Sequence, residues 1–241
     1  MVSRKRIETE EQWNSYFDKG GQWEINGGPE QTRLFAEAFC KHTRLRMMTD
    51  GESLLDSSCA LGDALPVFRK YLPNLTLYGS DLSNTAISRC RERFPDTASF
   101  FRASLEEIPG WYHIVYSSST LEHFVNYKEI SRILIKKCKY LYILVPYNEK
   151  MFGMNLKYLE EKDHVVTFLE NSFDFLIDEK LAKSISSPLI YPVPRAWSWT
   201  LSDRVQQYFR NVIRFLLKRP IVRNRKIIEF EIESADRGGE K

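Results

Sequence analysis

A doubly wound α/β fold, a mostly parallel sheet flanked by helices, is what this sequence predicts, and three observations carry that expectation. From residue 53 the chain alternates short apolar runs with amphipathic stretches, the pattern left by successive βα units. Five strand-like runs fall between residues 53 and 145 with helical patterns among them. The 241 residues, 43% of them hydrophobic, suffice for one sizeable core in a single elaborated domain. With 28% charged residues and 13% aromatic, the composition excludes a disordered chain, which lacks the apolar surface needed to offset chain entropy.

Taken in order, periodicity predicts helices over 8–17 and 29–39 with a loop over 23–28 between them. Gly28-Pro29 stands at the N-cap and N1 positions of the second helix, where Pro costs no hydrogen bond. Strands follow near 53–56, 75–80, 98–101, 113–116 and 140–145, with helices near 63–71, 84–94 and 126–137. After Pro146 the alternation is lost until a helix over 201–217 and a strand over 226–232. The chain therefore divides into an N-terminal helical segment (1–48), a sheet core (49–146), an insert facing substrate (147–200) and a closing helix and strand (201–241).

Cys40, Cys59, Cys90 and Cys138 show no C-x-x-C spacing, and Met1 leads into Arg4, Lys5 and Arg6 rather than an apolar signal core. A cytoplasmic protein with reduced thiols is expected, and no apolar run approaches the roughly 18–20 residues that cross a bilayer. The net charge of +3 does not by itself imply nucleic acid, and no nucleic-acid motif is present. Residues 204–226 nevertheless hold eight Lys or Arg and no Asp or Glu, with apolar residues at near-helical spacing. Such a helix suits peripheral contact with an anionic membrane surface, or a solvated basic face on a helix packed against the sheet.

In an open α/β sheet, ligands bind at the carboxyl ends of the strands, where loops present backbone N–H groups. The first strand runs out through Asp56-Ser57-Ser58-Cys59-Ala60-Leu61-Gly62, and the second ends Gly79-Ser80-Asp81-Leu82-Ser83. These segments resemble class I S-adenosylmethionine-dependent methyltransferases, whose first loop runs Asp-x-Gly-x-Gly-x-Gly and whose second strand ends in an acid. Asp56, Gly62 and Asp81 match; Ser58 and Ala60 stand where the first two glycines are usual. Asp81 lies 25 positions after Asp56 (81 minus 56), near the spacing of one βα unit. A segment from Tyr112 to Phe124, including Leu121-Glu122-His123, is similar to the family's fourth strand, with His113 at a usually acidic position.

The resemblance covers about residues 53–145 and implies a seven-stranded sheet with S-adenosyl-L-methionine as cofactor. Asp56, Ser57, Ser58, Cys59, Ala60 and Gly62 would hold its methionine end, and Asp81 with Leu82 its ribose. Ser104 and Leu105 would stand beside adenine, with Ser104 in place of a common Asp, and Ser117 and Ser118 would close the fourth-strand side. The run from Cys59 to Pro66, the segment from Trp23 through Gln31 and Thr32, and a late His164 narrow the likeness to methyltransferases of polysaccharide and O-antigen biosynthesis. By that likeness Trp23, Gln31 and Thr32 form a lid over the cofactor; aromatic packing of a terminal helix explains Trp23 equally well.

Methyl transfer from a sulfonium asks the protein mainly for orientation and a desolvated site. A hydroxyl acceptor benefits from a general base, for which His123 and His164 are the candidates; structural histidines are the alternative reading. Glu122-His123 also resembles the Glu-x-x-Glu-His metal site of some methyltransferases, but Ser119 takes its first acidic position and no metal is expected. Tyr147, Asn148, Tyr191, Trp197 and Trp199 in the insert would suit a flat or sugar substrate, or would simply pack a core. The sequence thus points to methylation of a small-molecule or carbohydrate hydroxyl. N-methylation of a small amine or protein, or an inactive cofactor-binding partner subunit, remain alternatives, and the oligomeric state is open.

Overall fold

The computed structural model describes residues 9–44, 52–147, 164–184, 189–193 and 223–232. Helix α1 (Glu10–Tyr16) begins at Thr9, whose hydroxyl accepts from the Gln12 backbone while the Gln12 side chain accepts from the Thr9 backbone, a reciprocal cap. A short helix α2 (Gln22–Ile25) occupies part of the segment expected to be a loop. Helix α3 (Gly28–His42) is capped by Gly27 at φ +76°, one residue before the expected Gly28. Pro29 lies in its first turn, as anticipated.

The alternation that follows is β1 (Ser53–Ser57), α4 (Leu65–Tyr71), β2 (Thr76–Asp81), α5 (Asn84–Arg93), β3 (Ser99–Arg102) and β4 (Tyr112–Ser118). After a 3-10 turn, Leu121–His123, come α6 (Tyr127–Lys136) and β5 (Cys138–Pro146). Each of these five strands ends within two residues of its expected place. Residues beyond Pro146 contribute α7 (Phe175–Asp178), β6 (Lys183–Ser184), β7 (Leu189–Val193) and β8 (Arg223–Glu231).

The strands are ordered β3-β2-β1-β4-β5-β8-β6, with β7 also paired to β8. The first five are parallel and β8 runs antiparallel to β5, from Tyr140↔Glu231 to Pro146↔Arg225. Among the described residues the sheet comprises eight strands rather than the seven expected, six of them in line from β3 to β8, with β6 and β7 both pairing with β8. They arise in the insert, where no regular element was anticipated. The helix expected over 201–217 lies outside the described residues, as does most of the basic 204–226 stretch.

Successive residues of each central strand enter opposite halves of the core. Leu54, Ile114, Tyr116, Tyr142 and Leu144 pack with Phe35 and Phe39 of α3 and Phe68 of α4. Leu55, Val115, Leu141, Ile143 and Val145 face Ile130 and Leu134 of α6 and Phe168, Phe173 and Leu176 near α7. This double burial is why these strands read as near-continuous apolar runs. Cys40, Cys59, Cys90 and Cys138 are free and buried within this core, and desolvation pushes the Cys40 thiol up to about 12. Among the described residues no helix is long and apolar enough to cross a membrane.

Tyr116 is gripped edge-to-face by Phe39 and Phe68, at ring-centroid distances of 4.6 and 4.9 Å. Phe39→Ala should therefore cost about 3–5 kcal/mol in urea unfolding, as fully buried aromatic truncations do. A loss below about 1 kcal/mol would mean that α3 does not anchor the sheet's first face.

Candidate active site

The site sits where the strand order turns back, beyond the carboxyl ends of β1, β2 and β4. The backbone after β1 is left-handed at Ser58 (φ +66°), Ala60 (φ +51°) and Gly62 (φ +78°). The first two are the positions that lack the family's glycines, and a side chain in this conformation costs about 1–2 kcal/mol per residue. Hydrogen bonds hold the loop in that shape. Ala60 N donates to Asp81 Oδ2 at 2.9 Å, Cys59 N to the Ser80 carbonyl at 2.8 Å, and Gly62 N to the Cys59 carbonyl at 2.8 Å. At the loop's far end the buried Asp63 carboxylate accepts from Arg93 at 2.7 and 2.8 Å and from Arg33 at 2.9 Å. Gly62 is needed for space as well as for φ, since a Cβ there would stand 3.0 Å from Cys90 Sγ and 3.2 Å from the Phe100 ring.

Asp81 receives a second backbone bond from Ser83 N at 2.9 Å, so both carboxylate oxygens are already engaged while the side chain still lines the site. Each oxygen keeps a lone pair for an outside donor. Asp56 is buried as well, and its Oδ2 has no hydrogen-bond partner among the described residues. Burial, with Asp81's charge behind it, pushes Asp56 up to about 8. Burial also pushes Asp81 up to about 6, against the pull of the N–H groups of Ser83, Ala60 and Leu82.

A second wall comes from the N-terminal helices. Asn14 Oδ1 of α1 accepts from Ser83 Oγ at 2.7 Å and from Thr85 N at 3.1 Å, docking α1 on the start of α5. Arg89 of α5 pairs with Glu24 at 2.8 Å and donates to the Phe17 carbonyl at 2.8 Å. The aromatic residues Trp13, Tyr16, Phe17 and Trp23 thereby pack on Ala60, Leu61 and Ala86. The Trp23 ring lies over Gly28 so closely that a Cβ there would be 2.2 Å from it. Trp23 Nε1 is buried, faces no partner among the described residues, and belongs to a ring lining the site.

The third wall follows β4. Ser119, left-handed at φ +51°, turns the chain into the 3-10 turn that carries Glu122 and His123. The Glu122 carbonyl accepts from Val165 N at 2.8 Å and from Val166 N at 3.3 Å, which brings in the 164–168 segment. His123 and His164 consequently meet edge-to-face at 5.3 Å, and Trp13 of α1 contacts His123 at 5.8 Å.

These walls enclose a cavity of about 210 Å3. Among the residues singled out from sequence, Trp23, Gln31, Thr32, Asp56, Ser58, Cys59, Ala60, Asp81, Leu82, Ser104, Leu105, Ser118 and His123 line it. Ser57, Gly62, Ser117, Tyr147 and His164 do not. Ser57 Oγ is spent on the Tyr116 carbonyl at 3.0 Å, Ser117 is buried in the strand, and His164 stands behind His123. Asn148, Trp197 and Trp199 lie outside the described residues, as does the side chain of Tyr191.

Trp13, Tyr16, Phe17, Phe35, Glu106, Tyr116, Ser119, Thr120, Glu122 and Phe124 also line the cavity and were not anticipated. Their helical spacing puts Trp13, Tyr16 and Phe17 on one face, a signal the sequence did carry. His113 does not line the cavity and pairs with Glu52 at 2.8 Å.

Residues 32–176, more than half of the chain, match the family described as a methyltransferase domain. The chain belongs to that family. No curated protein matches the methyltransferase domain's sequence significantly. Among solved structures, a chain of the complex between the Haloferax volcanii Trm112 methyltransferase activator and the putative methyltransferase is similar at TM-score 0.69 and 10% identity. That match covers 88% of this chain and 94% of the other. The plantazolicin methyltransferase BpumL in complex with SAH is similar at TM-score 0.59 and 18% identity, over 92% and 94% of the two chains. Magnesium protoporphyrin IX methyltransferase from Synechocystis with bound SAH follows at TM-score 0.56 and 11% identity, over 96% and 90%. At these identities the likeness establishes a shared fold.

The raised carboxylates give the ligand-free methyltransferase domain a pH signature. Asp56 and Asp81 bind protons more tightly folded than unfolded, where an Asp titrates near 3.9. Their contribution to stability is therefore complete below about pH 4 and is lost as pH rises through about 6 and then about 8. The melting temperature of the ligand-free chain should fall between pH 5 and pH 8.5, and Asp56→Asn should flatten the upper part of that fall. An unchanged slope in Asp56→Asn would show that this carboxyl is not held protonated.

Proposed function

We propose that this chain transfers a methyl group from S-adenosyl-L-methionine to a hydroxyl of a small-molecule or carbohydrate acceptor, in polysaccharide biosynthesis in the cytoplasm. The observation that carries the reading is the cavity itself: a left-handed loop of small residues and two buried acids on one wall, and a histidine on another. When bound, the cofactor supplies an electrophilic methyl on a sulfonium, and the chain supplies position and a dry site.

Asp81 accepts the ribose hydroxyls with the lone pairs left over from Ala60 and Ser83. The open Oδ2 of Asp56 and the Nε1 donor of Trp23 are orphaned buried groups at the cavity wall, suited to the charged amino and carboxylate groups of the methionine end. Gln31 and Thr32 of α3 stand on the same side. Leu82 and Leu105 flank the adenine, and Glu106, also lining the cavity, offers a carboxylate near the position where Ser104 replaces a common Asp. The helices of residues 1–48 act as the lid that excludes water. At the acceptor end an imidazole nitrogen of His123, with His164 behind it, takes the hydroxyl proton as the oxygen attacks.

Ligand binding tests this directly. At 100 times its dissociation constant, S-adenosylhomocysteine should stabilise the folded chain by about 2.7 kcal/mol, read as a rise in melting temperature. No shift with it or with S-adenosylmethionine would overturn the cofactor. Asp81→Asn should weaken that binding about 10- to 100-fold, the worth of a charge-assisted bond. Arg89→Ala should loosen the lid and raise the dissociation constant with a smaller loss of stability, because Arg89 ties Glu24 and Phe17 to α5 without lining the cavity. Labelled-methyl transfer to sugar hydroxyls, amines and peptides then separates O-methylation from N-methylation, and binding without transfer would leave a non-catalytic partner subunit.

A further inference from the structure

The sequence argues against a metal because Ser119 takes the place of an acid three residues before Glu122. The fold supplies a different third donor. His164 is carried in by the backbone bonds from Val165 and Val166 to the Glu122 carbonyl, and a donor atom from each of Glu122, His123 and His164 falls within 4.8 Å of the others. We infer that these three side chains form a binding site for one divalent first-row transition-metal ion, at the acceptor end of the cavity.

The geometry and the chemistry of the donors agree. Nitrogen and oxygen ligands stand about 2.0–2.2 Å from such an ion, so two of them in a tetrahedral site are about 3.3–3.6 Å apart. His164 Nε2 and Glu122 Oε1 are separated by 3.8 Å, too long for a hydrogen bond and only about 0.2–0.5 Å beyond the spacing of two ligands on one ion. All spacings in the trio lie within 4.8 Å, and closing the widest takes a shift of at most about 1.5 Å, which turns of the imidazole rings provide. Two imidazoles and one carboxylate suit Zn2+, Co2+, Fe2+ or Mn2+, whereas Mg2+ and Ca2+ prefer all-oxygen sites.

The burial of the trio points the same way. The side chains of Glu122 and His164 are 0% and 4% exposed, so the ligands are held by packing on one side. Glu122 and His123 line the cavity on the other. Three protein ligands leave coordination positions open, the arrangement of a reactive rather than a purely structural ion. Here those positions face the space where an acceptor would lie. The role assigned next rests on the methyl-transfer reading; the binding of the ion does not. Such an ion would hold the acceptor oxygen and lower the pKa of its hydroxyl, so that the proton would pass to solvent as the acceptor enters and before the lid closes, and His123 and His164 would then be ligands, in place of the base role given to His123 above.

The test is titration of the metal-stripped full chain with Co2+, read by visible absorption, and with Zn2+, read by calorimetry. One ion per chain is expected, with ligand-field bands for Co2+, and His164→Gln and Glu122→Gln should each weaken binding at least about 10-fold. His164 does not line the cavity, so His164→Gln should keep the S-adenosylhomocysteine melting shift, which reports that the variant is folded. Failure to bind either ion at one per chain, or equal affinity in His164→Gln and the unaltered chain, would overturn the site. Metal binding without any S-adenosylhomocysteine shift would support the ion and sink the methyl-transfer reading; the shift without metal binding would do the reverse.

Discussion

The Asp81 carboxylate is the constraint on which the site depends. It closes two turns at once, taking Ala60 N from the loop after β1 and Ser83 N from the start of α5. Charge-assisted bonds to a buried carboxylate contribute about 1.5–3 kcal/mol each, enough to hold Ser58 and Ala60 in a left-handed conformation that they would otherwise avoid. Without that tie the loop would relax toward the space it now borders. The cavity is therefore maintained by the loop's attachment to the neighbouring strand more than by glycine's freedom, and small side chains suffice where glycine is usual.

Burial of this acid beside a second one has its own effect. Asp56 and Asp81 are both desolvated, and the charge of Asp81 adds to the cost of ionising Asp56, so the ligand-free site retains a proton it would lose in water. A positive group arriving between them relieves that cost. The same groups that strain the resting protein thus favour a ligand carrying cationic centres, and the energy stored in one state becomes selectivity in the other.

Much of this was written in local sequence. The parallel strands and the helices between them follow from alternation of apolar runs, because the central strands β1, β4 and β5 are buried on both faces. Asp56 and Asp81 were legible because strand ends are where such a sheet binds ligands. What escaped was long-range. The packing of Trp13 and Phe17 on Ala60 depends on how α1 meets α5, which Asn14 and Ser83 decide across 69 positions. The meeting of Glu122 with His164 depends on backbone bonds from a segment some forty residues on, and nothing in either stretch alone announces it. Ser57 and Ser117 illustrate the opposite error: they belong to the right strand ends, but the sheet turns one into a cross-strand hydrogen-bond donor and buries the other.

Trp23 rests where residue 28 has no side chain. A single added methyl would displace the indole rather than the backbone, because the backbone at this point already belongs to the first turn of α3. The size of the chamber is therefore adjustable at a position that does not touch its contents. A larger residue at 28 would shift the indole and so reshape the chamber on the side where α2 meets α3.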